Sequence, residues 1–203
     1  GFFGNPDAEL MTRWYQLGIY YPFFRGHAHL DTKRREPWLF GDESTALIRA
    51  AIRRRYQLMP YLYTLFEAAH REGAAVARPL WYEFPDDEKT FDKEDAMMLG
   101  PAILVHPVLR QGATEVSVYL PAGVWYDFDT NVKHVGPKTF NYPVTMADTP
   151  TFVRGGYVVA RRDRVRRSTA AMASDPFTLV VAPDLQGNAV GEVYVDDGKS
   201  FHY

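Results

Sequence analysis

The chain has 203 residues, with 23 Lys plus Arg against 25 Asp plus Glu for a net charge of −2, and 46% of its residues are apolar. That balance excludes a disordered chain and argues against a general nucleic-acid binder. Arg, Asp, Gly or Pro interrupts every run before it reaches the ~18 to 20 apolar residues of a membrane span, and the absence of cysteine excludes disulfide and thiolate chemistry.

The chain opens Gly1-Phe2-Phe3-Gly4-Asn5-Pro6, with no initiator Met, basic n-region or apolar h-region. It is read as the start of a fragment rather than as a translation start or a signal peptide. Residues 6–17 predict a short helix: Asp7 and Glu9 suit a first turn, Leu10, Trp14 and Leu17 recur at helical spacing, and Gly18 ends the pattern. The apolar and aromatic run 19–24 is too short for a helix and predicts a buried strand. A polar loop rich in His and Arg follows, through Trp38.

From Ser44 to Arg71 apolar residues fall at three- and four-residue steps, which predicts a long amphipathic helix closed by Gly73. Pro60 lies inside it and predicts a kink or a break. Beyond Ala75 come short β-rich runs at 102–105, 116–120, 124–128, 152–160, 177–181 and 191–195, separated by Gly, Pro, Asn and Asp at sandwich-like spacing. The fold class is therefore α/β plus all-β: the last units of a (β/α)8 barrel followed by a β-sandwich. Barrels bind at the carboxyl ends of their strands, which places the candidate site near His27.

His27 and His29 form a His-x-His pair that could hold a metal, but two ligands need a third, and Asp31 alone does not complete a set, so no metal is expected. For His27 a locally satisfied loop histidine and a substrate-binding group both remain, and the second is favoured by its place after a presumed strand end. His29 is read as supporting. Asp31, Glu36, Asp42 and Glu43 are the nearest carboxylates. Helix capping and dipole stabilisation account for Asp42 and Glu43, and an ion pair with Arg34 or Arg35 for Glu36, so none is read as a catalytic acid. The basic run 161–167 is read as a solvated edge or a set of salt bridges rather than a nucleic-acid patch. Asp196-Asp197-Gly198 is read as a hairpin turn rather than a calcium loop.

These residues carry a resemblance. Gly1-Phe2-Phe3-Gly4-Asn5-Pro6, Arg13-Trp14-Tyr15-Gln16-Leu17-Gly18, Tyr21-Pro22-Phe23-Phe24-Arg25-Gly26-His27, Arg34-Arg35-Glu36-Pro37-Trp38, Leu58-Met59-Pro60-Tyr61-Leu62-Tyr63, Arg78-Pro79-Leu80-Trp81, Val124-Trp125-Tyr126-Asp127 and Phe152-Val153-Arg154-Gly155-Gly156 resemble glycoside hydrolase family 31 along the whole chain. The stretch from His27 to Thr32, the Arg-Arg-Glu-Pro-Trp stretch and Val165-Arg166-Arg167-Ser168 are most similar to the branch that trims α-1,3-linked glucose from N-glycans in the endoplasmic reticulum.

The resemblance implies a retaining exo-α-glucosidase without a cofactor, located in the lumen of the endoplasmic reticulum. Residues 1–74 would end the catalytic barrel, 75–160 would form a proximal β-sandwich, and 161–203 would begin a truncated distal β domain. The family's nucleophile and acid/base aspartates belong to Trp-x-Asp-Met-Asn-Glu-like and Gly-Asp-Asn-like segments that this sequence lacks, so both are expected upstream of Gly1. Phe2 matches the aromatic wall of the glucose subsite and His27 the histidine that hydrogen-bonds glucose hydroxyls, and Arg25 is expected to orient their loop. The implied partners are the upstream portion of the catalytic subunit, the β subunit that accompanies it, and a glucosylated N-glycan. The other reading is a non-catalytic structural or carbohydrate-binding module.

Overall fold

The computed structural model describes residues 2–164 and 166–200. Gly1, Val165 and residues 201–203, which fall in the opening motif, the basic run and the end of the expected distal domain, lie outside the described residues. Helix α1 (Ala8–Gly18) is capped by the Asp7 carboxylate, which accepts from the Leu10 N–H at 2.8 Å. Its buried face follows the apolar stripe only in part: Leu17 is buried, as is Met11, but Leu10 and Trp14 are exposed, whereas Arg13 and Gln16 are buried. Arg13 donates to the Thr145 and Asp148 carbonyls at 2.9 Å each, and Gln16 to the Met146 carbonyl at 2.7 Å. A loop offers carbonyls that no ladder satisfies, so donors on the facing helix take the place of apolar contact.

Residues 19–24 form turns and bends instead of the expected strand. The N–H groups of Ile19, Tyr20 and Tyr21 finish α1 by donating to the Tyr15, Leu17 and Gly18 carbonyls. The carbonyls of Ile19, Tyr21 and Pro22 accept from Arg55. With both sides of this backbone committed, no ladder forms among the described residues, and the apolar content reflects the burial of Ile19 and Tyr20.

A 3-10 turn (Pro37–Leu39) precedes helices α2 (Asp42–Gln57) and α3 (Met59–Glu72), which meet at Leu58, so the break expected at Pro60 falls two residues earlier. Pro60 then sits in the first turn of α3, where its missing N–H leaves no helical bond unmade. Gly73 ends α3 at φ 71°, a left-handed conformation that glycine adopts without strain.

The remainder is built from strands β1 (Ala77–Arg78), β2 (Met97–Leu99), β3 (Ile103–Val105), β4 (Glu115–Asp127), β5 (Lys133–Pro143), β6 (Thr151–Arg154), β7 (Tyr157–Arg161) and β8 (Thr178–Ala182). Short helices α4 (Leu80–Glu83) and α5 (Thr169–Met172) and a 3-10 turn (Glu88–Thr90) lie between them. Six strands make one antiparallel sheet in the order β1-β2-β3-β6-β4-β5, while β7 and β8 pair separately.

The runs 116–120 and 124–128 belong to one strand, β4, whose register shifts between Leu120 and Gly123. Pro121-Ala122-Gly123 reads as a turn in sequence and is accommodated as a bulge. Strand β5, opposite it, was not expected: Lys, His, Gly and Pro fill its first half, and the alternation of half-buried Phe140 and Tyr142 with exposed Thr139, Asn141 and Pro143 is confined to its second half. At Gly136 a Cβ would lie 2.0 Å from the Pro121 carbonyl oxygen, so only glycine lets β5 pass the bulge. The run 152–160 is divided by Gly155-Gly156 into β6 and β7, and the expected boundary near Arg161 falls at the last residue of β7. Residues 191–195 form no strand; next to them, Val190 makes an isolated bridge to Tyr157.

One apolar core crosses from helix to sheet: Ile19, Tyr20, Leu58, Leu62 and Leu65 pack with Leu99, Ile103, Val105, Val153 and Val159. Tyr61 joins the two layers, donating to the Leu99 carbonyl at 2.8 Å and accepting from the Ala102 N–H at 3.2 Å. The opposite face of the sheet buries Leu80, Met98, Leu104, Val118, Leu120, Trp125 and Phe152.

His106, just beyond β3, has no solvent exposure. Its Nε2 lies 3.1 Å from the Tyr119 carbonyl, which fixes Nε2 as the protonated nitrogen and leaves Nδ1 without a donor. Burial pushes this imidazole down to about 4 from 6.5. Between those values the unfolded chain takes up a proton that the folded chain refuses. The stabilisation is therefore complete above 6.5 and is lost as pH falls toward 4. We expect urea unfolding to show about 2 kcal/mol less stability near pH 5 than near pH 8 from this group alone. His106→Gln should remove that increment; an unchanged pH slope in the variant would assign it elsewhere.

Candidate functional site

The opening segment and the 25–36 loop run side by side through three bonds. The His29 N–H donates to the Phe2 carbonyl at 3.0 Å, the Lys33 N–H to Asn5 Oδ1 at 2.9 Å, and Arg35 Nη2 to the Gly4 carbonyl at 2.7 Å. These contacts bring the exposed Phe2 ring to within 5.1 Å of the His27 ring, centroid to centroid, at an interplanar angle of 46°. Two residues twenty-five positions apart thus present one aromatic face and one imidazole to the same space.

Arg25 lies against this pair: its Nη2 is 3.2 Å from His27 Nδ1. A guanidinium can only donate, so Nδ1 is the acceptor and the neutral ring carries its proton on Nε2. Nε2–H is then left as the ring's donor, on the side away from Arg25. Phe2, Arg25, His27 and Arg35 line one side of a cavity of about 350 Å³, and Leu10, Met11, Trp14 and Tyr15 of α1 line the other. At Gly26 a Cβ would come within 2.8 Å of the Tyr15 hydroxyl, so a larger residue where the loop passes α1 would displace that side chain.

His29 is turned to the same cluster, its ring 5.1 Å from Phe3 and 5.9 Å from Phe2. Its Nδ1 accepts from the Asp31 N–H at 3.3 Å. Among the described residues no group of three His, Asp or Glu side chains is placed to hold a metal ion. Glu36 is held by Arg34 at 2.6 Å, and that hydrogen bond keeps its carboxyl below the usual range. Asp42 and Glu43 occupy the first turn of α2.

The basic run is tied down locally: Arg166 forms a two-bond pair with Asp175 at 2.9 Å, Arg161 pairs with Asp163 at 2.9 Å, and Arg162 donates to the Ala173 and Asp175 carbonyls. Asp196 and Asp197 accept from the N–H groups of Gly198, Lys199 and Ser200, which makes the expected turn. No strands flank it among the described residues, so it closes no hairpin. Among the described residues, no helix is long and apolar enough to cross a membrane.

Asn5 and Arg55, which tie the loop down, were not singled out from sequence, and Arg35 was read only as a possible partner of Glu36. Their partners are backbone groups distant in sequence, and no spacing rule marks such bonds. Arg55 in the apolar-periodic helix was the one legible signal, as a charge falling on the buried face.

Comparison with known proteins places the chain in a family. Residues 1–65 match the glycosyl hydrolases family 31 TIM-barrel domain, and residues 73–159 match the glycosyl hydrolase family 31 C-terminal domain. The chain is 53% identical over its whole length to a probable glucan 1,3-alpha-glucosidase of Arabidopsis thaliana, of which it covers 22%. It superposes on the glucosidase II alpha subunit solved with alpha3-Glc2 with a TM-score of 0.94 and 44% identity, over 99% of this chain and 22% of that one. The same figures hold for that enzyme's heterodimeric complex of catalytic subunit and binding domain of the regulatory subunit. The chain thus spans about a fifth of the length of the curated relatives it matches. Helices that bear the barrel match and an antiparallel sheet that bears the C-terminal match follow each other here in one continuous polypeptide, and the chain belongs to glycoside hydrolase family 31.

Proposed function

We propose that this chain supplies part of the glucose subsite of a retaining exo-α-glucosidase. The enzyme would remove terminal α-linked glucose, in particular the α-1,3-linked glucose of N-glycans during glycoprotein trimming. The observation that carries the proposal is the 5.1 Å approach of the Phe2 and His27 rings at the edge of a cavity. An aromatic face packs against the C–H face of a pyranose, and an oriented imidazole N–H reads a hydroxyl, so the pair positions the sugar rather than moving a proton. The nucleophile and the general acid are assigned to segments outside these 203 residues. Of the carboxylates near the loop, Glu36 is paired with Arg34, and Asp42 and Glu43 sit in the first turn of α2.

In this reading residues 1–74 close the catalytic barrel, 75–160 form the proximal β-sandwich, and 161–203 begin the distal β domain. The partners are the upstream portion of the catalytic subunit, the glucosidase II beta subunit and a glucosylated N-glycan, and the location is the lumen of the endoplasmic reticulum. The regulatory-subunit complex of the related alpha subunit supports the heterodimer.

Calorimetric titration with deoxynojirimycin tests the reading on a full-length enzyme that carries this segment. Phe2→Ala should weaken binding by about tenfold, the scale of one lost aromatic contact of about 1.4 kcal/mol. Equal affinities for variant and parent would favour the alternative, a structural or carbohydrate-binding module remote from the glucose pocket.

A further inference from the structure

Arg55 is 8% exposed, and among the described residues no acidic side chain contributes to its charge environment, which burial alone perturbs. Its guanidinium is instead satisfied by backbone. Nη1 donates to the Ile19 and Tyr21 carbonyls at 2.6 and 2.7 Å, and Nη2 to the Pro22 carbonyl at 3.2 Å. A buried cation without an anion is costly unless its donors are bonded, and three of this guanidinium's five N–H groups go to these carbonyls, which ties the fork to them. Those carbonyls lie in the segment that makes no ladder, and the segment's position is therefore set from α2 rather than by a sheet neighbour among the described residues.

The same guanidinium stands over the Phe24 ring at 5.2 Å. Phe24 is held further by the edge of Tyr15, with ring centroids 5.7 Å apart at 87°, and by Gly18, where a Cβ would lie 3.0 Å from the ring. Next in sequence is Arg25, whose Nη2 meets His27 Nδ1. The chain of contacts runs without a gap from α2, through Arg55, to Phe24 and the 19–22 carbonyls, and then through Arg25 to the imidazole.

The geometry points to Arg55 as a positioning residue that holds His27 in register for the sugar, although it lines no part of the cavity itself. This rests on the reading that His27 touches substrate. Lysine keeps the charge but has no planar fork to span three carbonyls, so Arg55→Lys lets the segment shift. A displacement on the order of 1 Å at a positioned group costs up to about a hundredfold in turnover.

The experiment is a double-mutant cycle on a full-length enzyme carrying this segment, with kcat and KM measured on p-nitrophenyl α-glucoside. Arg55→Lys should lower kcat/KM by about tenfold when His27 is present, with kcat falling more than KM rising, and by less than about twofold when it is combined with His27→Ala. Phe24→Leu removes the ring beneath the guanidinium while leaving the carbonyls paired. Phe24 also lines the cavity, so its loss should depend on His27 in the same way and fall on kcat with KM little changed. A rise in KM alone would mark it as a wall residue and, if Arg55→Lys does not fold, would overturn the assignment. Equal losses in both backgrounds, or none in either, would overturn the assignment. If His27→Ala itself has no effect, the glucose-subsite reading fails first and takes this role with it, a result distinct from equal losses on top of a damaging His27→Ala.

Discussion

His27→Ala, made in a full-length enzyme that carries this segment, is expected to lower kcat/KM for an α-glucoside by about a hundredfold, or about 2.7 kcal/mol of transition-state stabilisation. A neutral imidazole in the ground state supplies only about 0.5 to 1.5 kcal/mol per hydrogen bond. The larger figure follows if the contact tightens as the sugar ring flattens toward an oxocarbenium ion, where hydroxyl hydrogen bonds strengthen by up to several kcal/mol. The loss should therefore fall mainly on kcat. Because His27 is exposed and its ring is bonded to the exposed Arg25, its removal leaves no buried group unpaired. The melting temperature should stay within the spread of surface substitutions, about 0.5 kcal/mol in stability. Parent-like kinetics in a folded variant would remove His27 from the pocket; a large fall in melting temperature would make the residue structural.

Much of the fold was legible because local rules governed it. Glu9 falls in the first turn as expected, Asp7 stands one residue earlier as the cap, and Gly73 is the stop it was read as. Pro60 divided the long helix for the reason a proline divides any helix. What escaped reading was decided by distant backbone. Residues 19–24 look like a strand because strands and buried turns share a composition, and only the bonds from Arg55 and to the end of α1 distinguish them. Strand β5 is the converse: ten of its eleven residues pair with β4, yet only Phe140 and Tyr142 at one end show alternation, since most of its residues face solvent. The pairing of Phe2 with His27 came from family resemblance. Spacing alone offers no reason for a residue at the head of one helix to meet a loop beyond it, and the His29 to Phe2 backbone bond that joins them has no sequence signature.

The same distinction between local pattern and distant partner makes Trp125 the most sensitive position in the sheet. Its side chain has no solvent exposure and packs among Leu80, Met98, Leu104, Val118, Leu120 and Phe152, with the Phe84 ring 5.9 Å away. Its Nε1–H donates at 2.9 Å to the carbonyl of Pro121, a buried residue in the irregular stretch between Leu120 and Gly123. Trp125→Ala thus opens a cavity and strips a donor from the bulge at once. We expect about 4 to 5 kcal/mol of destabilisation, the upper part of the range for a large aromatic replaced by alanine. Trp125→Phe retains most of the packing and loses the bond, and should cost about 2 kcal/mol. Trp38 is 63% exposed, and its replacement by alanine should stay within about 0.5 kcal/mol. Urea unfolding of the three variants measures all of this in one series. Domains hold about 5 to 15 kcal/mol in total, so Trp125→Ala should sit near the edge of folding at body temperature while Trp38→Ala melts with the parent. If Trp125→Ala loses less than about 1 kcal/mol, the ring does not carry the core that its burial implies. If Trp125→Phe is as damaging as Trp125→Ala, the bond to Pro121 outweighs the packing, and the bulge rather than the core is what the tryptophan secures.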